Sequence, residues 1–451
     1  MANYKEAIEY IHSFSRFGTK LGLDNISRLL NYLGNPQKGL KIIHVAGTNG
    51  KGSTCSMIDS ILRDAGYRVG LFTSPYLETF NERIKIDGTN ITDYEIYNSI
   101  EKIKYVVSLI KQHGYNLPTE FEVVTALGLL FFKEKEVDFV VLEVGMGGRL
   151  DATNVVKPLI SVITPISYDH QHYLGNTLRE IAFEKCGIIK PNTPVVSAEQ
   201  EAEALQVICD TCIRNNSPLT LVSNSGYCPN ASTINYSVKR DDLNGVVFDL
   251  KTPNRSYENI EIRMLGSHQA GNAAVAAGAV ETLNYLGIDI KEEAVYSGLR
   301  GARWPGRLEI MGENPYLLID GAHNLAGIKT LKALIKKHFN SHRKILVFGV
   351  LKDKDYNKMV EELAPLFDVI IATSPESPRA LPPEELKNTI ITACKGVKNN
   401  FSNIPCIYIR EKISDAVGFS VQIASQQDLV VYAGSLYLVG SVRSLLKKYD
   451  I

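Results

Sequence analysis

The sequence predicts an α/β protein of two domains, each built on a mostly parallel sheet. Short, almost continuously apolar runs, such as 42–46 and 137–142, alternate with longer helical patterns. Strands that are apolar on both faces are typical of parallel sheets covered by helices on both sides. The alternation is interrupted at 218–264 and restarts at residue 316. A chain of 451 residues also exceeds what one hydrophobic core usually holds.

The elements of the first domain follow from the changes in hydrophobic period. Residues 1–40 are expected to form helices that are interrupted by a short polar turn at 20–24. The expected strands are 42–46, 69–73, 138–144, 160–164 and 194–197, and the expected helices are 53–65, 93–113, 120–135 and 177–187.

The segment 218–264 has a different character. Two β-type runs flank the sequence Asp-Asp-Leu-Asn-Gly at 241–245, and an Asn-Gly step between such runs is a strong hairpin signal. We therefore expect a small antiparallel β insert, followed by a helix over about 268–287. The stretch 298–307 is rich in Gly and Arg and holds the single tryptophan. We interpret it as the linker between domains at 1–298 and 299–451.

After this linker the alternation predicts a smaller, Rossmann-like α/β domain without a glycine-rich phosphate loop of its own. The expected strands are 316–320, 344–349, 368–372, 405–409 and 428–432, and the expected helices are 325–338, 355–366, 383–394, 412–425 and 438–449.

Composition and charge argue against several classes of partner. The 49 basic residues balance 49 acidic ones, so neither nucleic acid nor an anionic membrane is expected as a bulk partner. The first residues lack an apolar signal core, and no apolar run has the length of a membrane span. The seven cysteines are scattered, as is typical of reduced thiols. We expect a cytoplasmic protein, and a monomer by default.

The most informative motif is Gly-Thr-Asn-Gly-Lys-Gly-Ser at 47–53. It follows a predicted strand and precedes a predicted helix, which is the context in which backbone N–H groups hold phosphate. Lys51 could reach the outer phosphates of a nucleotide, and Ser53 could offer its hydroxyl to Mg²⁺. The spacing differs from the usual P-loop because Gly52 separates these two residues. An ordinary glycine-rich turn is the alternative.

Three further residues are candidates for chemistry. Glu143 ends the apolar run 137–142, where a carboxylate could hold Mg²⁺ or could simply be a hydrogen-bonded strand-end acid. His170 could be a metal ligand or a general base, but Mg²⁺ prefers oxygen ligands, so a structural histidine is the alternative. Lys185, within a predicted helix, is by itself typical of a solvated lysine.

The second domain offers fewer candidates. Arg307 and Asp320 lie in the linker and at a strand end, and either could belong to an ordinary ion pair. His323 stands near a predicted helix start, where Asn324 could serve as the N-cap.

Together, these motifs resemble the signature of the folate branch of the Mur ligase superfamily, the folylpolyglutamate and dihydrofolate synthases. In that branch a glycine follows the lysine, as Gly52 does here. The resemblance extends over essentially the whole chain. Further matches, in order, are Phe72-Thr73-Ser74-Pro75, Thr119-Glu120-Phe121-Glu122, the run 143–154, Asp169-His170, the run 184–190, His268-Gln269 with Asn272, Trp304-Pro305-Gly306-Arg307, the run 320–324 and the run 434–437.

The resemblance implies an ATP-dependent ligase that adds L-glutamate to a folate through an acyl phosphate, with dihydropteroate as a further candidate acceptor. It implies ATP contacts from Thr48, Asn49, Gly50, Lys51, Gly52, Ser53, Asn272, Arg307 and Asp320. It implies two Mg²⁺ sites with Ser53, Ser74, Glu143 and His170 as ligands, and catalytic roles for Lys51, His323 and a carbamylated Lys185. The implied folate contacts are Leu21, Gly22, Leu23, Tyr76, Thr119, Glu120, Phe121, Glu122, Leu150, Asp151 and Ala152, with Lys20 beside them.

One departure and two alternatives accompany the resemblance. Many relatives have histidine where this chain has Tyr76, although an aromatic ring there could still stack on a pterin. A Mur-type ligase that uses a UDP-linked peptide is the alternative within the superfamily. A P-loop switch that binds ATP without forming a product is the alternative from another class, but it would not need the second domain with Asp320 and His323.

Overall fold

The computed structural model describes residues 2–18, 21–223, 231–396 and 405–448. The chain divides into two compact units. The first comprises Met1–Lys239, Val247–Arg263 and Gln269–Arg303, and the second comprises Arg240–Val246, Met264–His268 and Trp304–Ile451.

The strands belong to two sheets. They are β1 Ile42–Ala46, β2 Val69–Phe72, β3 Ile84–Ile86, β4 Thr89–Asn90, β5 Phe139–Glu143, β6 Ile160–Ile163, β7 Val195–Ser197, β8 Leu219–Val222, β9 Ser232–Asp242, β10 Gly245–Lys251, β11 Ser256–Ile262, β12 Glu309–Glu313, β13 Tyr316–Asp320, β14 Lys344–Phe348, β15 Val369–Ala372, β16 Cys406–Ile409 and β17 Leu429–Ala433.

The helices alternate with these strands, as the hydrophobic pattern predicts. They are α1 Ala2–His12, α2 Asp24–Tyr32, α3 Lys51–Asp64, α4 Asp93–Gln112, α5 Glu120–Glu134, α6 Gln171–Leu174, α7 Leu178–Cys186, α8 Ala202–Arg214, α9 His268–Tyr285, α10 Glu292–Gly301, α11 Leu325–His338, α12 Tyr356–Leu363, α13 Pro383–Gly396, α14 Ile413–Ile423 and α15 Leu436–Lys448. Short 3₁₀ turns cover Ser13–Phe17, Phe80–Arg83, Ala152–Val155 and Ala364–Leu366.

In the larger sheet, β1 is an interior strand between β6 and β5. Within the described residues this sheet has eleven strands in the order β11-β10-β9-β8-β7-β6-β1-β5-β2-β3-β4. β1 pairs in parallel with β5 on one side and with β6 on the other. All five residues of β1 are buried, which explains its continuous apolar run. Because parallel strands end at the same edge, the segments that follow β1, β5 and β6 meet there.

The smaller sheet lies in the second unit. Over the described ranges it has six strands in the order β12-β13-β17-β14-β15-β16. All its pairings are parallel except that of β12 with β13. This arrangement confirms the predicted α/β class, with a parallel sheet in each half of the chain.

The structure differs from the sequence predictions in three places. The predicted hairpin forms, but β8 to β11 extend the larger sheet instead of making a separate insert. The stretch interpreted as a linker begins too early, because α10 continues to Gly301. The strands β3, β4 and β12 were not predicted. β3 and β4 have only three and two residues, and the five residues of β12 are half-buried or exposed without alternation, so none leaves a clear periodic signal.

The cysteines differ from expectation at one residue. Cys55, Cys186, Cys212, Cys394 and Cys406 are free. Cys209 is disulfide-bonded, so the prediction of reduced thiols is wrong there. No helix within the described ranges has both the length and the apolar character needed to cross a membrane.

The packing of α10 on α3 gives a stability prediction. A Cβ added at Gly298 would lie 2.5 Å from the Cα of Ile61, which cannot retreat as a side chain could. Gly298→Ala should therefore lower the free energy of unfolding of the first unit by about 1–3 kcal/mol, which is typical of an overpacked core. The urea midpoint should fall accordingly.

Gly301→Ala, on the same helix, is the matched control, because its Cβ would meet only the Ser60 Oγ at 3.4 Å. Urea unfolding followed by circular dichroism compares the two variants. Equal midpoints for both would contradict the close contact between these helices.

Candidate active site

The loop after β1 is held in one conformation by a close contact. Gly47 has a φ of 151°, and a Cβ at this position would lie 1.9 Å from the Thr164 Oγ1, so only glycine fits. The N–H groups of Thr48 and Asn49 donate to the Pro165 carbonyl oxygen at 2.9 and 3.2 Å. These two amides already have an acceptor, which narrows the predicted phosphate-binding amides to residues 50–53.

The N-terminus of α3 is built to receive an anion. Gly50 is its N-cap, in the left-handed conformation with a φ of 82°, and no side chain caps the helix. The first N–H groups of a helix have no acceptor within it, and they carry the positive end of the helix dipole. The amide groups of Lys51, Gly52 and Ser53 therefore form a site suited to phosphate.

Asn272, on α9, lies against this loop. A Cβ at Gly50 would come within 2.4 Å of the Asn272 Oδ1, and the Asn272 Nδ2 donates to the Gln269 Oε1 at 2.9 Å. The side chain is buried. The fold thus brings Asn272 next to the glycine-rich loop, although more than 200 residues separate them in sequence.

Two lysines converge on one carbonyl oxygen of the loop. The Lys185 Nζ donates to the Gly47 O at 2.8 Å. The Lys51 Nζ donates to the same oxygen at 3.2 Å and to the Thr48 O at 3.3 Å. Two ammonium groups this close repel each other, which favours an anion or a neutral amine at the site.

Burial changes the chemistry of Lys185. Its side chain is only 4% exposed, so the alternative of a solvated helix lysine is wrong. Burial, reinforced by the charge of Lys51, lowers the pKa of Lys185 to about 7, although Asp169 and Asp151 oppose the shift. A large fraction of this amine is therefore neutral, and nucleophilic, at physiological pH.

The loop 145–151 fixes the end of α7, where Lys185 lies. A Cβ at Gly148 would lie 2.7 Å from the Lys185 carbonyl oxygen, so the two backbones touch. The Arg149 N–H donates to the Glu184 O at 2.7 Å, and their side chains form an ion pair at 2.8 Å. The close approach of Gly148 therefore helps to position Lys185.

The predicted Mg²⁺ ligands gather in part. Ser53 and Glu143 are both buried, and the Glu143 Oε2 accepts a hydrogen bond from the Ser74 N–H at 3.0 Å. Hydroxyl and carboxylate oxygens are the ligands that Mg²⁺ prefers. His170 is different, since it is exposed and its backbone N–H donates to the Asp169 Oδ1 at 2.9 Å. Within the described residues, no three His, Cys, Asp or Glu side chains form a metal-binding group.

Some of the predicted folate residues adjoin the large apolar cluster of the first unit. Ala152 belongs to this cluster, and the partly buried Leu23, Tyr76 and Phe121 pack against it. The Arg83 guanidinium lies 4.9 Å from the centre of the Tyr76 ring. Leu21, Gly22 and Leu150 lie on the segments beside this cluster, whereas Lys20 is outside the described residues.

Several of the same residues have structural hydrogen bonds. The side chain of Glu122 accepts from the Thr119 N–H at 2.7 Å and from the Ile26 N–H at 3.0 Å, which caps α5 and joins it to α2. The Glu120 Oε1 lies 3.1 Å from the His12 Nδ1. The hydrogen bond from Ile26 to Glu122 holds the first turns of α2 and α5 together.

The second unit gathers its own charged residues at the end of β13. Asp320 is buried, and its carboxylate accepts from the Leu308 N–H at 2.8 Å and the Ala322 N–H at 2.9 Å. Burial raises the pKa of Asp320, while Arg307 opposes that shift. The His323 Nδ1 lies 2.8 Å from the Gly321 O.

Asn324 is the N-cap of α11, as its alternative interpretation predicts. Its side chain accepts from the Gly327 N–H at 2.9 Å.

Three residues that hold the glycine-rich loop were not predicted from the sequence. They are Thr164, Pro165 and Ser167. Thr164 ends the predicted strand 160–164 and the other two follow it, and nothing else in the sequence marks these residues.

Two family models match the chain. The Mur ligase middle domain matches residues 45–280, and the Mur ligase glutamate ligase domain matches residues 306–436. A dihydrofolate synthase/folylpolyglutamate synthase of Bacillus subtilis is 40% identical over 446 residues, covering 98% of this chain and 99% of that protein.

Solved structures agree over the whole chain. A Mycobacterium tuberculosis folylpolyglutamate synthase, determined with ADP and AMPPCP, has a TM-score of 0.87 and 32% identity, covering 98% of this chain and 99% of that one. Escherichia coli FolC, in complex with DHPP and ADP, has a TM-score of 0.85 and 28% identity, covering 99% and 98%. The chain therefore belongs to the folylpolyglutamate and dihydrofolate synthase family of the Mur ligases.

Proposed function

We propose that this protein uses ATP to join L-glutamate to a folate through an amide bond. The observation that carries the proposal is the convergence of Lys51 and the buried Lys185 on the Gly47 carbonyl, beside the uncapped N-terminus of α3. An anion-binding helix end and two nearby amines form a site suited to phosphoryl transfer. The family relationship supplies the substrate class.

The chemistry has two balanced steps. A carboxylate oxygen of the folate attacks the γ-phosphorus of ATP, and the bond to ADP breaks. The glutamate amine then attacks the acyl carbon and loses a proton, and inorganic phosphate leaves with the former carboxylate oxygen. The amides of residues 50–53 and Lys51 would hold the phosphates and stabilise the charge that develops on them.

The residues present fit Mg²⁺. Ser53, Ser74 and Glu143 would supply oxygen ligands from three neighbouring segments, and we assign His170 to a second site. Bound Mg²⁺ would neutralise phosphate charge and orient the transferred group. Within this set, Glu143 is the charged ligand, held in place by its hydrogen bond from the Ser74 N–H.

We assign Lys185 to a carbamate. Its neutral amine would attack CO₂, forming an N–C bond and releasing one proton, so that the neutral amine becomes an anion with two oxygens. The carbamate nitrogen keeps one N–H, which could still donate to the Gly47 O. Lys51 would then face a negative charge instead of a second ammonium, which removes the repulsion between the two lysines.

We further assign nucleotide contacts to Asn272, Arg307 and Asp320, and to Thr48 and Asn49 through groups other than their backbone N–H, which already donate to Pro165. The Asp320 carboxylate already accepts two backbone N–H groups, which supports a role in fixing residues 306–308 for Arg307. His323 is assigned to the acyl phosphate or the incoming glutamate. The division of the chain into an ATP- and folate-binding domain at 1–298 and a glutamate-ligase domain at 299–451 belongs to the same proposal.

The pterin end is assigned to Leu21–Leu23, Tyr76, residues 119–122 and residues 150–152. Because several of these residues belong to the apolar cluster there or pack against it, a flat heteroaromatic ring is a suitable ligand. Both dihydropteroate and folate carry such a ring, so we propose both as acceptors. The monomeric state and the cytoplasmic location stay predictions.

The substrate assignment is tested with labelled glutamate. Purified protein with ATP and Mg²⁺ should transfer the label to tetrahydrofolate and to dihydropteroate, and should release ADP only when acceptor and glutamate are both present. Chromatography of the folate products measures the transfer. If neither acceptor gains glutamate, the proposed function is wrong, and transfer to only one would exclude dual activity.

The role of Lys185 predicts a specific rescue. Lys185→Ala should lower kcat by about 100-fold or more, as the loss of a charge-stabilising group does. Formate or acetate should restore part of the rate, because either could supply the missing carboxylate-like oxygens. Arg179→Ala, an exposed residue of the same helix, is the control and should keep wild-type activity. A Lys185→Ala enzyme with full activity would refute the role.

The pKa of Lys185 predicts the pH dependence of the carbamate. Only the neutral amine reacts with CO₂, so at fixed dissolved CO₂ the carbamate should increase as the pH rises through about 7. Carbon-13 NMR with labelled bicarbonate measures it without turnover. The signal should be absent from Lys185→Ala. A wild-type protein that shows no such signal between pH 6 and 9 would contradict the assignment.

A further inference from the structure

A buried chain of hydrogen bonds joins β1 to the loop after β5. The His44 Nε2 lies 2.9 Å from the Thr153 Oγ1, and the Thr153 Oγ1 donates to the Asp151 Oδ1 at 2.6 Å. His44 and Thr153 are fully buried, and Asp151 is 5% exposed. This histidine stands three positions before Gly47, and it is neither a proposed ligand of ATP or Mg²⁺ nor a proposed folate contact.

The direction of these hydrogen bonds follows from chemistry. Both Asp151 oxygens accept backbone N–H groups, from Thr153 and Met146. Burial raises the pKa of Asp151, and these hydrogen bonds oppose that rise and use both oxygens as acceptors. The Thr153 hydroxyl donates its only hydrogen bond to Asp151, so it must accept the hydrogen bond from His44. Burial lowers the pKa of His44 to about 3, so the ring is neutral, with its proton on Nε2.

The Asp151 carboxylate closes the loop that follows β5. It accepts the Met146 N–H at 2.8 Å and the Thr153 N–H at 3.0 Å, which ties both ends of the loop to one side chain. The loop also lies against the folate-assigned Phe121, since a Cβ at Gly145 would lie 2.5 Å from its Cζ. Any change in the orientation of Asp151 therefore moves residues 150–152.

Burying the His44 ring is energetically unfavourable, which indicates that the histidine has a role besides packing. Its other ring nitrogen, Nδ1, is buried and has no hydrogen-bond partner in the part of the chain that the structure describes. An unpaired buried polar atom is unfavourable, and every other residue of β1 is apolar. A leucine would suit this strand better if only packing mattered.

We propose that His44 is a positioning residue for the folate acceptor. It donates through Thr153 to Asp151, and so it holds residues 145–153 in register with β1, the strand that leads to the phosphate loop. The role of this relay in acceptor binding rests on the proposed function. The relay itself rests on the buried contacts alone.

The variants distinguish the effect of losing the hydrogen-bond donor at residue 44 from the effect of changing the shape of its side chain. His44→Leu and Thr153→Val each break the relay while keeping a similar volume, and His44→Gln keeps an N–H donor. The first two should raise the KM for the folate acceptor by about 10-fold, with less than a 2-fold change in the KM for ATP, as the loss of supporting contacts does. His44→Gln should recover most of the affinity, and the double variant should resemble each single one.

Ser161→Ala is the matched control. Ser161 pairs with His44 on the neighbouring strand, is equally buried and donates to the Ile188 O outside the relay. This variant should leave both KM values unchanged. Equal increases in both KM values for His44→Leu, or additive effects in the double variant, would overturn the proposal.

Hydrogen exchange provides a readout that does not need turnover. The amides of Met146 and Thr153, which donate to Asp151, should exchange faster in His44→Leu than in the wild type or in Ser161→Ala. Unchanged exchange at both amides would overturn the relay. A wild-type enzyme that transfers no glutamate would instead overturn the proposed function, so the two failures are distinguishable.

Discussion

The carbonyl oxygen of Gly47 is the point on which the site depends. It accepts hydrogen bonds from Lys51 and Lys185, while the absent side chain of the same residue lets the loop lie against Thr164. The contact with Thr164 fixes the loop, the loop orients the first turn of α3, and the two lysines bring their side-chain nitrogens beside it. A larger residue at position 47 would clash with Thr164 and so would displace the loop from the first turn of α3 and from the two lysines.

Much of the fold could be predicted because its signals are local. The five buried residues of β1 and the glycine-rich turn after them are contiguous in sequence, and the resulting strand–turn–helix has few alternatives. The strand 316–320 and the helix 325–338 coincide with β13 and α11, since apolar runs and a capping Asn324 mark their ends.

The rest could not be predicted because it depends on contacts between distant segments. Lys185 has the local pattern of a solvated helix residue, and only the approach of Gly148 and Gly47 buries it. The role of Pro165 as an acceptor for the loop amides has no sequence signal either. The same limit applies to His44, whose partner Thr153 lies on a loop 109 positions away. The approach of residues this far apart is set by tertiary packing, which periodicity does not encode.

The phosphate site is proposed to activate a carboxylate. Transfer of oxygen-18 measures this most directly: the enzyme receives ATP, glutamate and a folate acceptor with both oxygens of its reacting carboxylate labelled. The acyl-phosphate route predicts one labelled oxygen in each inorganic phosphate released, and one in the amide carbonyl of the product. Inorganic phosphate without label would contradict it, because the carboxylate oxygen would then never have bonded to phosphorus.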